Sequence, residues 1–193
     1  DRSMEMISYY AIYASSLLAK ERGSYQTYEG SKWSRLLLPY DTIAILEENR
    51  GIPLKVDKSK TMDWDKVKSH IQAHGMRNSN TMAIAPTATI SNISGVYPCT
   101  EPAYKNIYMK ENLSGNFIVI NDHLISDLEA RGLWTSEILN QIKMNDGSLA
   151  NIVEIPEDLR ALYKETFEVE PTWIIEAAAR RTKWIDQSAS TNI

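Results

Sequence analysis

The stretch of the chain best suited to chemistry runs from residue 77 to residue 92, with the sequence RNSNTMAIAPTATISN. Its segment 81–85 is short, apolar and partly β-branched and ends at Pro86, a pattern that favours a buried strand. Small and hydroxyl-bearing residues follow, which predicts a short helix over 87–94 that Gly95 ends. In an α/β fold this turn lies at the carboxyl end of a strand, where unpaired backbone N–H groups form an anion site.

The side chains of this turn suit a phosphate group better than a carboxylate. Thr87, Thr89 and Ser91 carry hydroxyl donors, and Ala88 leaves room for close approach of a ligand. Because several donors converge on one place, the pattern fits a diphosphate. The stretch is not a P-loop, since GxxxxGK is absent. On spacing alone, a threonine that caps its own helix is the simpler interpretation, and it stays open.

The elements that must position this loop can be read from hydrophobic periodicity and stop signals. The pattern predicts helices over 3–22, 41–49, 63–74, 122–131, 135–145, 156–167 and 171–184. It predicts strands over 81–85 and 185–193, and a hairpin of 106–111 and 116–121 around a four-residue loop, 112–115. Strands separated by helices indicate an α/β architecture with mainly parallel pairing, plus one hairpin.

The composition narrows the class of protein. The chain has 193 residues, of which 43% are apolar and 24% charged, which is enough for one domain over 1–193 with a core. Its net charge of -4 provides no basic field, so a nucleic-acid partner is not expected. No apolar run approaches a membrane span, and no basic-then-apolar leader opens the chain. We therefore expect a soluble, cytoplasmic protein without a membrane partner.

The remaining candidate residues favour structural roles. Cys99 is the single cysteine and has no base or cation nearby in sequence, so we expect a small buried or loop residue. His70 and His74 have the i, i+4 spacing of metal ligands, but no Glu stands between them as in HExxH, and we expect no metal site. The basic cluster at 180–183 fits the C-terminal end of a helix.

Residues 76–90, MRNSNTMAIAPTATI, resemble the substrate-phosphate loop of the large subunit of class I ribonucleotide reductase. Further stretches agree with this family in the same order along the chain: SYY at 8–10, LAKERG at 18–23, GSKW at 30–33, EP at 101–102 and WIDQS at 184–188. The resemblance therefore spans the whole chain. It covers a minor part of the family's own length, in the later part of its catalytic barrel.

The resemblance implies a fold and an activity. Members of this family reduce ribonucleoside diphosphates to deoxyribonucleoside diphosphates by radical chemistry in a ten-stranded α/β barrel, so we expect this chain to be part of such a barrel. The substrate-binding contacts carried over from the family fall on Thr87, Ala88, Thr89, Ile90 and Ser91. The family often has a hydroxyl where this chain has Ile90, so only the backbone amide of that residue is expected to contribute.

The resemblance also implies what the chain lacks. It contains no Asn-x-Cys-x-Glu segment and no pair of reducing cysteines. It also contains no relay pair of tyrosines: Tyr9 and Tyr10 are adjacent, but they lie upstream of where the family's relay pair belongs, and we expect them to pack against other side chains. We expect no catalytic residue, no bound cofactor and no activity from these residues alone. The full enzyme is expected to use a radical from a metal-containing small subunit and a thioredoxin-type reductant. The expected partners are a ribonucleoside diphosphate, the remainder of the large subunit, the small subunit and a second large subunit.

Two alternatives stay open. A non-catalytic split-gene product or orphan fragment that binds a partner chain would expose strand edges and apolar patches. A generic nucleotide- or phosphate-binding α/β domain would need only the loop. The chain begins in a helical pattern at Asp1 and ends in a strand-like one. That fits a part of a larger protein and fits trimming to ordered residues equally well.

Overall fold

The computed structural model describes residues 1–112 and 115–191. These residues form two compact units. Unit 1 consists of residues 1–86 together with the chain from residue 172 onward, and unit 2 consists of residues 87–171. The expectation of one domain over 1–193 stays a prediction.

Helices provide most of the regular structure. The α-helices of the described residues are α1 (Arg2–Arg22), α2 (Thr42–Arg50), α3 (Trp64–His74), α4 (Ile90–Ser94), α5 (Asp122–Ala130), α6 (Ser136–Met144), α7 (Glu157–Leu162) and α8 (Pro171–Thr182). Short 3-10 helices cover Pro39–Asp41 and Thr166–Glu168. Strands β1 (Ile107–Asn112) and β2 (Gly115–Ile120) pair in an antiparallel hairpin. Within this part of the chain, no helix combines the length and the hydropathy that crossing a membrane requires.

Capping residues explain why most predicted helices are confirmed. The Asp63 side chain accepts a hydrogen bond from the Lys66 amide at the start of α3, and Thr135 accepts one from Ile138 at the start of α6. Gly51 adopts the left-handed conformation that ends α2. The helices predicted over 3–22, 41–49, 63–74, 122–131 and 135–145 therefore begin and end within one residue of the observed bounds.

Four boundaries differ from the predictions. The helix predicted over 156–167 ends at Leu162, and a 3-10 turn follows later in that range. The helix predicted over 171–184 ends at Thr182, and the one predicted over 87–94 begins only at Ile90. The hairpin pairs as far as Asn112 with Gly115, so its connection is shorter than the four residues predicted. Residues 113 and 114 of that connection lie outside the described residues.

The core of unit 1 is rich in aromatic rings. Trp64 and Trp184 stack with 5.7 Å between ring centroids, and Tyr9 meets Trp64 edge-on at 5.4 Å. Tyr9 is buried as expected, whereas Tyr10 forms a T-shaped ring contact with Tyr9 and is 58% exposed. The buried members of this core are Tyr9, Ile12, Trp33, Leu38, Trp64, Val67, Ile71, Met76 and Trp184.

A buried carboxylate attaches α1 to the start of α3 within this core. Glu5 is 2% exposed and accepts hydrogen bonds from the Thr61 amide at 2.7 Å, the Met62 amide at 3.0 Å and the Trp64 indole at 3.0 Å. The Thr61 hydroxyl donates a fourth, at 2.7 Å. Burial raises the pKa of Glu5, but these hydrogen bonds outweigh it and the pKa is lowered overall.

The core of unit 2 joins the base of the hairpin to the helices that follow it. Its buried members are Ile107, Leu124, Leu128, Ile138, Ile142, Leu149, Ile152, Ile155 and Leu159. The buried residue Asn106 donates its amide to the Glu165 carboxylate at 2.7 Å and its side chain to the Tyr163 carbonyl at 2.8 Å. Burial raises the pKa of Glu165. These contacts fix the point at which β1 begins.

The two predicted barrel strands do not form strands here. Residues 81–85 and 185–191 have no strand assignment, and the hairpin is the sheet that the described residues contain. Residues 192 and 193 of the predicted terminal strand lie outside the described residues. Instead of a ladder, the Asp186 carboxylate accepts from the amides of Thr81 at 2.7 Å and Met82 at 2.9 Å. The α/β expectation is thus correct for the helices and the hairpin, while the described residues show antiparallel and not mainly parallel pairing.

Candidate functional site

The predicted phosphate loop opens unit 2. Residues 88 and 89 form a turn, α4 begins at Ile90, and Gly95 ends it in the left-handed conformation. Ala88, Thr89 and Ile90 are exposed. Thr87 is half-buried and Ser91 is buried, so the five predicted residues differ in what they offer a ligand.

The carbonyl groups of this loop are engaged on one side. The Ser91 amide donates to the Thr87 carbonyl at 2.9 Å, and the Asn92 amide donates to the Thr89 carbonyl at 3.2 Å. The Ala88 carbonyl accepts from the Ser91 hydroxyl at 3.3 Å and from the Asn92 side-chain amide at 3.1 Å. Three consecutive carbonyls therefore face Ser91 and Asn92.

Peptide planarity converts this arrangement into a row of amides on the opposite side. In a trans peptide, the N–H points opposite to the carbonyl of the preceding residue. The N–H groups of Ala88, Thr89 and Ile90 consequently point away from Ser91 and Asn92. None of the three donates a hydrogen bond to another of the described residues. Exposed amides held in this way can bind an anion without first breaking an internal bond.

The hydroxyl groups of the loop offer fewer free donors to a ligand than the sequence suggested. The Thr87 hydroxyl donates to the Pro98 carbonyl at 2.7 Å, and the Ser91 hydroxyl and amide are both used inside the loop. Thr89 stands at the N-cap of α4, yet its side chain makes no capping hydrogen bond. The alternative of a threonine-capped helix start is therefore not what this structure contains, and Thr89 keeps an exposed hydroxyl beside the three amides.

Two residues near the loop were missed by the sequence reasoning. Asn92 donates its side-chain amide to the Ala88 carbonyl, and the Lys110 ammonium donates to Asn92 Oδ1 at 3.1 Å. Lys110 lies on β1, eighteen residues later in the chain. No sequence signal pairs these positions, because the contact depends on how the hairpin folds back within unit 2.

The segment that leads into the loop lies in unit 1. The Trp33 indole donates to the Ser79 carbonyl at 2.9 Å, and the Ser15 hydroxyl donates to Asn78 at 3.0 Å. A cleft of about 570 Å³ is lined here by parts of three of the stretches noted above, 30–33, 77–80 and 184–188. Residues 87–91 do not line this cleft.

The cysteine and the histidine pair make contacts that fit structural roles. Cys99 is an exposed loop residue whose thiol donates to the Glu101 carbonyl at 3.5 Å. Partial desolvation of the thiol raises its pKa, so the thiol is not activated. The Nδ1 atom of His70 and the Ser16 hydroxyl share a hydrogen bond of 2.7 Å, and the His70 ring centroid lies 4.6 Å from that of His74. No group of three or more possible metal ligands occurs among the residues described.

Comparison with known proteins gives a consistent result. The model of the ribonucleotide reductase barrel domain matches residues 1–193. The chain is 54% identical to the ribonucleoside-diphosphate reductase subunit alpha of Chlamydia pneumoniae over 100% of its length and 19% of that protein. It is 39% identical to the large subunit of the Arabidopsis thaliana enzyme over 98% of its length and 22% of that protein.

A solved structure agrees with these sequence matches. The class Id ribonucleotide reductase alpha subunit of Actinobacillus ureae is similar over 91% of this chain and 27% of that chain, with 26% identity and a TM-score of 0.51. The chain thus spans about a fifth of the length of the curated relatives it matches.

Proposed function

The chain belongs to the ribonucleotide reductase barrel-domain family, and we propose that it is the substrate-diphosphate-binding part of a ribonucleoside-diphosphate reductase large subunit. The whole subunit's activity is part of this proposal: reduction of ribonucleoside diphosphates to deoxyribonucleoside diphosphates, which supplies DNA replication. Relatives matched over 98–100% of the chain carry reductase names. The alternative of a non-catalytic split-gene product or orphan fragment is therefore not favoured.

One observation carries the proposed role of this segment. The amides of Ala88, Thr89 and Ile90 are exposed, unengaged and aimed away from the carbonyls that Ser91 and Asn92 hold. A hydrogen bond to a charged oxygen contributes about 1.5–3 kcal/mol. Three such donors can therefore offset much of the entropy lost when a diphosphate is immobilised. Ile90 contributes through its backbone, so the absence of a hydroxyl at this position does not remove the site.

The loop acts by positioning. Holding the diphosphate fixes the distance between the ribose and groups that other parts of the subunit supply, and no bond is broken at residues 87–91. The proposal includes the partners expected from the sequence: the remainder of the large subunit, a second large subunit, a metal-containing small subunit that provides the radical, and a thioredoxin-type reductant. It also includes a cytoplasmic location.

The proposal extends to the barrel itself. Residues 81–85 and 185–191 are taken as neighbouring segments of a ten-stranded α/β barrel, within a single domain over 1–193. The observation that supports this placement is the Asp186 carboxylate, which holds the amides of Thr81 and Met82 beside the segment that follows α8. Strands of a closed barrel need a partner on each edge, and we propose that other parts of the subunit supply those partners.

A charge placed in the loop tests the diphosphate role. In the large subunit that carries this segment, Thr89→Glu should weaken binding of a ribonucleoside diphosphate at least tenfold, on the order of 1.4 kcal/mol or more, because a carboxylate repels the phosphates. The matched control is Ser69→Glu, which adds the same charge at an exposed position of α3. Equilibrium binding of a diphosphate and of the unphosphorylated nucleoside gives the readout. Equal diphosphate affinity in the two variants would refute the proposal.

A further inference from the structure

We infer that Asn92 and Lys110 form a brace that holds the phosphate-facing amides in place. This inference rests on the proposed function of residues 88–90. Both residues are positioning residues rather than catalytic ones. The brace runs from the Lys110 ammonium to Asn92 Oδ1 at 3.1 Å, and from Asn92 Nδ2 to the Ala88 carbonyl at 3.1 Å.

The chemistry of the two ends fixes the orientation of the Asn92 side chain. An ammonium group can only donate hydrogen bonds, and a carbonyl oxygen can only accept them. Asn92 must therefore turn its oxygen toward Lys110 and its nitrogen toward Ala88. A carboxamide is the group that satisfies both neighbours at once, which an aspartate or an aliphatic side chain of similar size cannot do.

The Ala88 carbonyl is the point at which the brace acts on the ligand site. A carbonyl turned toward a phosphate would repel it, and rotation of this peptide would also withdraw the Thr89 amide, since the two groups share one plane. The Asn92 side chain and the Ser91 hydroxyl together hold that carbonyl on the far side. Removing the Asn92 amide, which is the closer of the two donors, should allow the peptide between Ala88 and Thr89 to rotate.

Lys110 is the cation that this loop lacks in its own sequence. Residues 87–100 contain no charged side chain. Lys110 is half-buried and has no carboxylate partner among the described residues, so its charge is not neutralised locally. Its hydrogen bond to Asn92 Oδ1 is therefore charge-assisted and is not shared with a carboxylate. Lys110 therefore fixes the Asn92 side chain from the carbonyl side of the loop.

Neutral substitutions in the large subunit separate the brace from simple charge effects. Asn92→Leu and Lys110→Met should each weaken binding of a ribonucleoside diphosphate and of inorganic pyrophosphate by about tenfold. Binding of the unphosphorylated nucleoside should be unchanged, and KM should rise while kcat stays within about twofold. Lys110→Arg should restore most of the affinity. Because the two residues act through one contact, the double variant should lose less than the sum of the single losses.

The control removes an equal charge from the same strand region. Lys105 precedes β1 and pairs with Asp146 rather than with Asn92, so Lys105→Met should bind pyrophosphate like the unaltered protein. Pyrophosphate affinities within about twofold for both brace variants would overturn the inference, and a loss in Asn92→Leu alone would overturn the role of Lys110. Thr89→Glu is run in parallel. If it weakens binding while the brace variants do not, the proposed function stands without the brace; if none of them does, the proposed function fails as well.

Discussion

Replacing Asp186 with asparagine is expected to loosen the connection between the segment before the phosphate loop and the chain that follows α8. The carboxylate accepts from the Thr81 amide at 2.7 Å and the Thr81 hydroxyl at 3.1 Å through one oxygen, and from the Met82 amide at 2.9 Å through the other. Asparagine has the same shape but only one acceptor oxygen, so one backbone N–H must face an NH₂ group.

The loss of unfolding free energy can be estimated from these three hydrogen bonds. If the asparagine oxygen keeps the two Thr81 donors, the Met82 amide loses a bond to a charged acceptor and the other two bonds lose their charge assistance. Asp186 is half-buried, so water recovers part of the loss. We expect a fall in unfolding free energy of about 2 kcal/mol. Asp186→Ala removes all three bonds and should cost more than the asparagine variant.

Urea unfolding of the chain, followed by tryptophan fluorescence, measures this loss, because Trp184 lies two residues from the substitution in the core of unit 1. Asp65→Asn at an exposed position on α3 is the matched control and should shift the unfolding free energy by about 0.5 kcal/mol or less. Equal stability of the Asp186 and Asp65 variants would show that the carboxylate does not hold residues 81–82, and residues 81–85 and 185–191 would no longer be supported as neighbouring barrel segments.

Two further predictions concern buried contacts in each unit. Glu5→Gln should lower the unfolding free energy by about 2 kcal/mol at neutral pH, since a neutral acceptor replaces a charged one for three N–H donors. Burial raises the pKa of Glu5, but its hydrogen bonds outweigh burial, so the pKa is lower in the folded protein than in the unfolded chain. The stability that the Glu5 carboxylate contributes is therefore present above the unfolded pKa and is lost as pH falls through the folded pKa. Urea titrations at several pH values should show the stabilities of the two proteins converging in acid. Gly147→Ala should cost about 2–4 kcal/mol, because Gly147 has φ 99° and an added Cβ would collide with Glu165 Oε1 beside the Ile107 amide. A thermal midpoint equal to that of Gly30→Ala, where φ is 80° but no atom lies within 4 Å of the added Cβ, would contradict that collision.

The helices could be predicted from the sequence because their signals are local. Asp63 and Thr135 cap the helices they precede, and Gly51 ends α2, so periodicity and capping identify these elements without knowledge of the rest of the fold. The predicted strand over 81–85 failed for the opposite reason. A parallel strand depends on edges supplied by distant segments, and here a single carboxylate takes the place of a ladder.

The candidate site could be predicted only in part. The motif identified residues 87–91, but it could not show that the Thr87 hydroxyl is used by the Pro98 carbonyl or that Ser91 is buried. It also gave no sign of Lys110, whose contact with Asn92 arises when the hairpin folds back within unit 2. Residue types indicate which donors are available, whereas tertiary contacts decide which of them remain free for a ligand.

The most direct test is a crystal structure of the large subunit carrying this segment, with a ribonucleoside diphosphate bound. We expect phosphate oxygens about 2.7–3.2 Å from the amide nitrogens of Ala88, Thr89 and Ile90. Diphosphate density at another place, with these three amides donating to protein carbonyl groups instead, would contradict it.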